Sequence, residues 1–472
     1  MPRFSQGTAA LLLTAGLAGG ALAAPAHAAP APAASATDIA ARLKAIPGMK
    51  VEEKPSTIPG TRWFWLTYKQ PVDHRNPRGR WFEQRIMLQH KDAAKPMVLY
   101  TSGYDTPEVM FTAEPTALLD GNQISIEYRY FTPSRPVPTD WTKDTIWQAA
   151  TDEHRLIGQL KKIYGKKWIS TGASKGGMTA VYHKRFYPRD VDGTVAYVAP
   201  NNVDDREDSA YDRFFATVGT DDKCRAQLKG VARELLKRRP AMLQRFKADA
   251  AENGWTFKLL RTMDRAFENS VMDYEWGFWQ YNLQSDCDTV PSVKASDDEL
   301  YKSLDAIAGL SFYTDQGLTP YIPYYYQAGY QLGAPNPKFK HLRPYLRYEH
   351  TYNNARAYLP RSIKVRWDGG KAMRDIDGWV RNHGSRLLFI YGGNDPWRAE
   401  PFRLGKGSRD SAVYVAPGQN HSGRLIAKLP DQQRAKATAD LLRWAGVTPG
   451  VRSASLLNQA DDPLLLQGRR PL

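Results

Sequence analysis

The stretch Lys167-Trp168-Ile169-Ser170-Thr171-Gly172-Ala173-Ser174-Lys175-Gly176-Gly177-Met178 decides how this chain is read. Lys167 to Ser170 has the apolar character of a short buried strand, and Met178 to Phe186 reads as a helix. Between them lies Gly172-x-Ser174-x-Gly176. A serine at a sharp strand-to-helix turn takes a strained backbone conformation, so its neighbours must be small. Gly172, Gly176 and Gly177 supply that room. The turn lifts the hydroxyl above the end of a sheet, as a nucleophile elbow requires. The five-residue motif alone is common by chance, and such a serine can also be a plain helix N-cap. The strand before it and the helix after it favour the elbow.

A serine hydroxyl is a weak nucleophile near neutral pH. It needs a base to take its proton and a carboxylate to hold that base in the right tautomer. At an elbow of this kind the chain order is Ser, then Asp or Glu, then His. Arg386 to Tyr391 reads as a strand ending at Gly392-Gly393-Asn394-Asp395, and Ala412 to Val415 as a strand ending at Pro417-Gly418-Gln419-Asn420-His421. Asp395 and His421 are the expected partners of Ser174. His383 precedes the candidate acid and its strand. Asp375 and Asp377 are rival carboxylates that lie before the strand instead of at its end. The tetrahedral intermediate needs backbone donors. The amide of Lys175 is one, and the loop Thr101 to Asp105 offers a second, assigned to Tyr104 with Gly103 allowing close approach.

Working outward, short apolar runs alternate with helical spacing. Trp63 to Tyr68, Trp81 to Leu88, Met97 to Tyr100, Ile124 to Tyr128 and Thr194 to Val198 read as strands. The stretch from Ile146 to Ile163 and that from Asp431 to Trp444 read as helices. Alternation of this kind predicts a mostly parallel sheet covered on both faces. From 201 to 370 it stops. Helical spacing and dense Tyr and Trp take over, and this block is read as an inserted, mainly helical cap. The fold class is α/β, an α/β-hydrolase core with a cap. The expected divisions are a signal peptide at 1–28, the core at 38–200, the cap at 201–370, the core again at 371–448, and a Leu-rich tail at 449–472 that the sequence does not place.

The first 28 residues hold one charge, Arg3, then an uncharged run ending at Ala26-His27-Ala28, which has the small-x-small form that a signal peptidase reads. Secretion and removal of this segment are expected, not a membrane anchor. No later segment is apolar for long enough to span a bilayer. With 42% hydrophobic and 11% aromatic residues, wholesale disorder is excluded. The formal charge is +16, but Lys and Arg are interleaved with Asp and Glu. Lys237-Arg238-Arg239 reads as a solvated face, so no nucleic-acid partner is expected. Cys224 and Cys287 are the two cysteines, and in an exported chain they read as a disulfide. No metal is expected. His341 and His350 lie without a partner cluster, and no H-E-x-x-H occurs. No dinucleotide or phosphate loop is present, so no cofactor is expected either.

Tyr68-Lys69-Gln70-Pro71-Val72-Asp73-His74, Trp81-Phe82-Glu83-Gln84-Arg85, Ile126-Glu127-Tyr128-Arg129-Tyr130 and the turn Gly172 to Met178 resemble the prolyl carboxypeptidase/dipeptidyl peptidase II group. Over nearly the whole mature chain the resemblance is closer to the secreted prolyl tri/tetrapeptidyl aminopeptidases of actinomycetes. Lys175 after the serine and the run YYYQAGYQL from Tyr324 to Leu332 support that branch. The larger group usually has Tyr after the nucleophile and more cysteines, so its finer specificity is not carried over. The resemblance implies release of tri- or tetrapeptides from a free N-terminus by cleavage after proline, with peptide or protein substrates as partners. The aromatic cap is compatible with a proline-stacking pocket and equally with an ordinary aromatic core. An aminopeptidase needs an anion for the substrate ammonium, and Glu127, Glu275, Asp204 and Asp205 are the candidates; Glu127 is equally placed to pair with Arg129 or another base. Composition and spacing alone support only acyl transfer to water. A secreted esterase or lipase, and an inactive hydrolase-fold binding protein, are the alternatives; the filled triad positions argue against the second.

Overall fold

A computed structural model describes residues 38–348, 352, 354–448 and 460–466. The expected signal segment at 1–28, His350 and most of the tail lie outside the described residues.

The sheet has nine strands: β1 (Met49–Lys54), β2 (Arg62–Pro71), β3 (Trp81–His90), β4 (Met97–Thr101), β5 (Asn122–Ile126), β6 (Trp168–Ala173), β7 (Gly193–Tyr197), β8 (Leu387–Gly392) and β9 (Ala412–Ala416). Their spatial order is β1-β2-β3-β5-β4-β6-β7-β8-β9. The first three strands pair antiparallel, and β3 meets β5 antiparallel. From β5 to β9 every neighbour is parallel. The central strands are buried along their whole length, which explains why none of them carries a charged residue.

Helices cover both faces of the sheet and build a further layer between β7 and β8. They are α1 (Ile39–Lys44), α2 (Glu114–Leu119), α3 (Ile146–Leu160), α4 (Lys175–Phe186), α5 (Ser209–Thr217), α6 (Asp222–Lys237), α7 (Arg239–Asn253), α8 (Met263–Tyr281), α9 (Asp297–Ala308), α10 (Asp315–Leu318), α11 (Ile322–Gln327), α12 (Lys371–His383) and α13 (Asp431–Trp444). Strand side chains alternate between the faces. Val195, Tyr197, Leu388 and Ile390 pack with Leu441 and Leu442 of α13. Their neighbours Ala196, Leu387 and Phe389 pack with Val181 of α4 and Ile376 of α12.

Between β7 and β8, α5 to α11 build their own core around Leu228, Leu235, Phe246, Phe267, Trp276 and Leu304. Burying each such side chain contributes roughly 1.5–3 kcal/mol against the entropy of ordering the chain. Local signals are strong here. Ser296 and Glu299 form a reciprocal capping box on α9, and the Thr262 side chain caps α8. Cys224 of α6 and Cys287 are joined in a disulfide with Cα atoms 5.7 Å apart. No helix among the described residues is long and apolar enough to cross a membrane.

The motifs near the N-terminus serve as internal bracing. Arg129 is fully buried and grips Asp152 of α3 through two bonds at 2.7 and 2.9 Å. It also donates to the carbonyls of Pro71 and Val72. His74 reaches the same Asp152 at 2.7 Å. One charged residue thus ties the end of β2 to α3. A buried ion pair of this kind is tolerated because nearly every polar atom of it is hydrogen-bonded.

Candidate active site

The build direction of the sheet reverses at β4, with β5 on one side and β6 on the other. A crevice opens at such a switch point beyond the carboxyl ends of the strands. The loops after β4 and β6 meet there. Thr101 Oγ1 donates to the carbonyl of Gly176 at 2.6 Å. A Cβ on Gly172 would lie 2.5 Å from the backbone of Gly176, and one on Gly176 would collide with the carbonyl of Thr101. No side chain fits at either position, and so the two loops pack backbone to backbone.

Ser174 sits at this junction with φ 57° and ψ −128°, a strained conformation for a residue with a Cβ. Its amide donates to Tyr197 O at 3.0 Å, and its carbonyl accepts from Met178 at 3.0 Å. The side chain makes no capping bond to α4, so the hydroxyl is not acting as an N-cap. Lys175 is the first residue of α4, where amides point out of the helix and carry its positive dipole end.

Asp395 and His421 follow β8 and β9 at the same edge of the sheet. Asp395 Oδ2 lies 2.8 Å from His421 Nδ1, and Asp395 is fully buried. Oδ1 accepts from the amide of Trp397 at 3.1 Å, which fixes the carboxylate plane. His421 is also buried, and its Nε2 has no hydrogen-bond partner among the described residues. The rival carboxylates have other employment. Asp375 pairs with Arg185 at 3.0 Å, and Asp377 accepts from Asn201 and Arg381.

The side chain of Lys175 is as informative as its amide. Its ammonium is buried, donates to Gly103 O at 2.6 Å and stands 3.2 Å from the centre of the Tyr128 ring. It therefore braces the β4 loop. Burial pushes the carboxyl of Asp144 up to about 8 against the pull of this ammonium. The Tyr104 amide donates to Ser102 Oγ at 3.1 Å. It can serve an oxyanion only by turning from that hydroxyl or by sharing its hydrogen.

The cap reaches this loop with aromatic rings. Tyr324 and Tyr321 meet Tyr104 at 5.6 and 6.4 Å between centroids, and Phe131 completes the cluster. Both glutamines of YYYQAGYQL bind the core. Gln327 donates to Tyr128 OH at 2.8 Å and to Asp144 at 3.0 Å, while Gln331 accepts from the amide of Ile146 at 3.0 Å. Beside the imidazole, Trp397, Trp276 and Tyr211 form a ring chain, with centroids 6.1, 5.2 and 5.4 Å apart from His421 outward.

Glu127 is not available to a substrate amine. Its carboxylate is buried and accepts from Arg85, from the amide and hydroxyl of Ser134, and from the amide of Thr106. These five hydrogen bonds saturate both oxygens. The pairing with a nearby base that the sequence left open is the one observed, with Arg85 across the sheet as the partner. Asp204 is paired with the exposed Arg206, and Asp205 caps the amide of Ala334. Glu275 lies 2.7 Å from Nε2 of His341, off the hydrogen-bond line, beside a cavity of about 340 Å3 also lined by Phe215 and Phe339.

Sequence reasoning missed Glu400, Asp208 and Tyr211. Glu400 follows Asp395 by five residues and lies 3.5 Å from the Tyr211 hydroxyl. Burial and the nearby Asp208 push its carboxyl up to about 7, and burial pushes Asp208 up to about 6. Asp208 accepts from the amide of Asn336 at 3.0 Å. Proximity to the Asp395 strand end was the signal that could have found Glu400. Among the described residues no group of three or more His, Cys, Asp or Glu has the geometry to hold a metal ion.

A strained elbow serine, a later carboxylate and a last histidine at the carboxyl edge of a mostly parallel sheet define an α/β-hydrolase. Comparison with known proteins narrows the class. The chain belongs to the PS-10 peptidase S37 family, whose model matches residues 32–462. It is 57% identical over 415 residues to a prolyl tri/tetrapeptidyl aminopeptidase of Streptomyces mobaraensis, covering 87% of this chain and 86% of that one. It is 29% identical over 188 residues to a lysosomal Pro-X carboxypeptidase of Mus musculus, covering 35% and 38% of the two chains. Among solved structures, a proline iminopeptidase of Mycobacterium smegmatis matches at a TM-score of 0.36 and 14% identity, over 80% of this chain and 98% of that one.

Proposed function

We propose that this chain is a serine exopeptidase that releases tri- or tetrapeptides from a free N-terminus by cleaving after proline. The observation that carries this reading is the identity to an aminopeptidase of that specificity over nearly the full length of both chains. The Asp395–His421 pair and the strained Ser174 support the chemistry.

In this reading Ser174 Oγ attacks the carbonyl carbon of the proline residue while His421 Nε2 takes its proton. Asp395 holds the other ring nitrogen and stabilises the imidazolium. The developing oxyanion is met by the Lys175 amide at the α4 N-terminus and by an amide of the 102–105 loop, with Tyr104 assigned. His421 then protonates the leaving amine. Water, deprotonated by the same imidazole, hydrolyses the acyl-enzyme and restores Ser174. The Lys175 ammonium keeps the β4 loop in place.

Residues 201–370 serve as the cap that encloses the peptide's N-terminal side. The Tyr104, Tyr321, Tyr324 and Phe131 cluster is the proposed apolar subsite. Glu400 and Asp208 are the proposed amine anchor, because they flank the ring chain that leads to His421. Glu275 is the remaining candidate from the sequence. Export through the 1–28 segment is part of the same reading, supported by the disulfide. The substrates are peptides, with neither nucleic acid nor membrane as a partner. The test is a peptide series with proline at position two, three or four, resolved by mass spectrometry. Release of fragments ending in proline from the position-three and position-four peptides is expected. Ester turnover with no peptide product would favour an esterase.

A further inference from the structure

The chain after the closing helix comes back to the histidine loop. The amide of Asp461 donates to Thr112 O at 2.8 Å, and its carboxylate accepts from the Thr112 amide at 2.8 Å. Next to it, the Asp462 carboxylate accepts from the hydroxyl of Ser422 and from the amide of Gly423 at 3.2 Å. The Leu464 amide closes a turn onto the same carboxylate at 3.1 Å. Leu464 is buried in the cluster that holds Ala173, Leu425 and Ile426. A Cβ on Gly423 would lie 3.1 Å from the Cβ of Ala173 and 3.3 Å from Pro463. The loop is thus pressed between the residue before Ser174 and residues 460–466.

The other supports of this loop come from elsewhere. Asn394 donates to Gln419 O at 2.8 Å, and the amide of His421 itself donates to Gln280 O at 3.0 Å. These hold the loop up to His421. Among the described residues, Asp462 holds Ser422 and Gly423, the two positions directly after it.

We propose that Asp462 is a positioning residue for His421. It clamps the backbone on the C-terminal side of the imidazole, so that Nε2 keeps its bearing toward Ser174. The proposal rests on the reading of Ser174, His421 and Asp395 as the catalytic triad. It gives residues 460–466 a role in turnover. Asp462 touches neither substrate nor reacting atoms. It acts by limiting the angular freedom of the base, and misplacement of about 1 Å can cost on the order of a hundredfold in rate.

Asp462→Ala, Asp462→Asn and Ser422→Ala would be compared with the wild type in the full chain. The readouts are kcat per active site titrated with a fluorophosphonate, KM and thermal midpoint. Asp462→Ala is expected to lower kcat per site by roughly tenfold to a hundredfold with KM within about twofold. Asp462→Asn keeps an acceptor for the Gly423 amide and an amide nitrogen for the Ser422 hydroxyl, so it should recover to within about threefold. A lower thermal midpoint with wild-type kcat per site in Asp462→Ala would overturn the proposal, leaving a purely structural tail. Equal losses in the Ala and Asn variants would overturn it too. If Asp462→Ala fails to fold, Ser422→Ala removes one bond of the clamp. An unchanged kcat in that variant overturns the proposal, and a fall of a few-fold supports it. Failure of the triad reading itself would appear separately, as activity retained in His421→Ala.

Discussion

Asp395 and His421 are locked together, Oδ2 to Nδ1 at 2.8 Å, with both side chains shut off from solvent. The bond leaves Nε2 as the free edge of the ring, and in the proposed mechanism Nε2 is the atom that receives a proton from Ser174. The carboxylate is itself fixed by the Trp397 amide. Replacing Asp395 by Asn reverses the donor and acceptor pattern at Nδ1 and stabilises the wrong tautomer.

It follows that Ser174→Ala and His421→Ala each lower kcat/KM by three or more orders of magnitude, on the order expected for a triad acting as one unit. The double variant should lose little more than either single one. Asp395→Asn should be nearly as severe, while Asp375→Asn and Asp377→Asn stay near wild type. Multiplicative losses in the double variant, or a crippling Asp375→Asn, would reject the assignment. Steady-state kinetics on one peptide decides it.

The strand pattern around Ser174 was legible because these strands are buried on both faces, and burial leaves short runs of apolar, small and hydroxyl residues with no charge. β1 was not. Met49–Lys54 is an edge strand of Lys and Glu with little buried surface, and its pairing with β2 has no local sequence signal. The candidate triad rests on chain order, since each proposed member follows a strand. The role of Lys175's ammonium could not be read, because it depends on how closely the β4 loop approaches. Glu127 was left between two roles for the same reason. A strand-end glutamate looks like an anchor until the residue across the sheet, Arg85, is known. Residues 460–466 were not placed from the sequence because seven residues with one buried leucine carry no periodicity.

Glu127 is therefore expected to act in stability and not in recognition. Glu127→Gln leaves Arg85 partly uncompensated, and breaking a buried pair costs about 3–5 kcal/mol. Chemical denaturation should show that loss, while the preference for a free over an acetylated N-terminus survives. A folded variant that loses the preference would restore Glu127 as the anchor.

Glu400 gives the opposite pattern. In the proposed reading the substrate ammonium is held by the ionised Glu400 carboxylate, whose pKa is pushed up to about 7 by burial and by Asp208. As pH falls through about 7 the anchor protonates, so kcat/KM for free-amine peptides should drop faster than for acetylated ones. Glu400→Gln should remove that difference, while Glu275→Gln should keep it. Stability has the matching sign. A raised carboxyl contributes fully below the ordinary carboxylate range and loses that contribution as pH rises through about 7. Glu400→Gln should therefore raise the thermal midpoint more at pH 8 than at pH 5. A pH-independent selectivity in the wild type would count against Glu400.

Cys224 and Cys287 close a loop of 63 residues within the helical insertion. By the chain-entropy model such a link contributes about 4 kcal/mol. Alkylation without reductant should leave both sulfurs unmodified by mass. The double Ser variant should unfold at markedly lower denaturant while kcat of the folded fraction changes little. Two alkylated thiols would reject the bridge.

The most direct measurement uses one peptide with proline at position three, prepared with a free and with an acetylated N-terminus. Products of the wild type and of Ser174→Ala are identified by mass spectrometry. The expected result is release of the intact N-terminal tripeptide from the free peptide, a loss of orders of magnitude on acetylation, and no product with Ser174→Ala. Equal cleavage of the two peptides, or cleavage at a bond that does not follow proline, would contradict a proline-specific exopeptidase reading its substrate from the N-terminus.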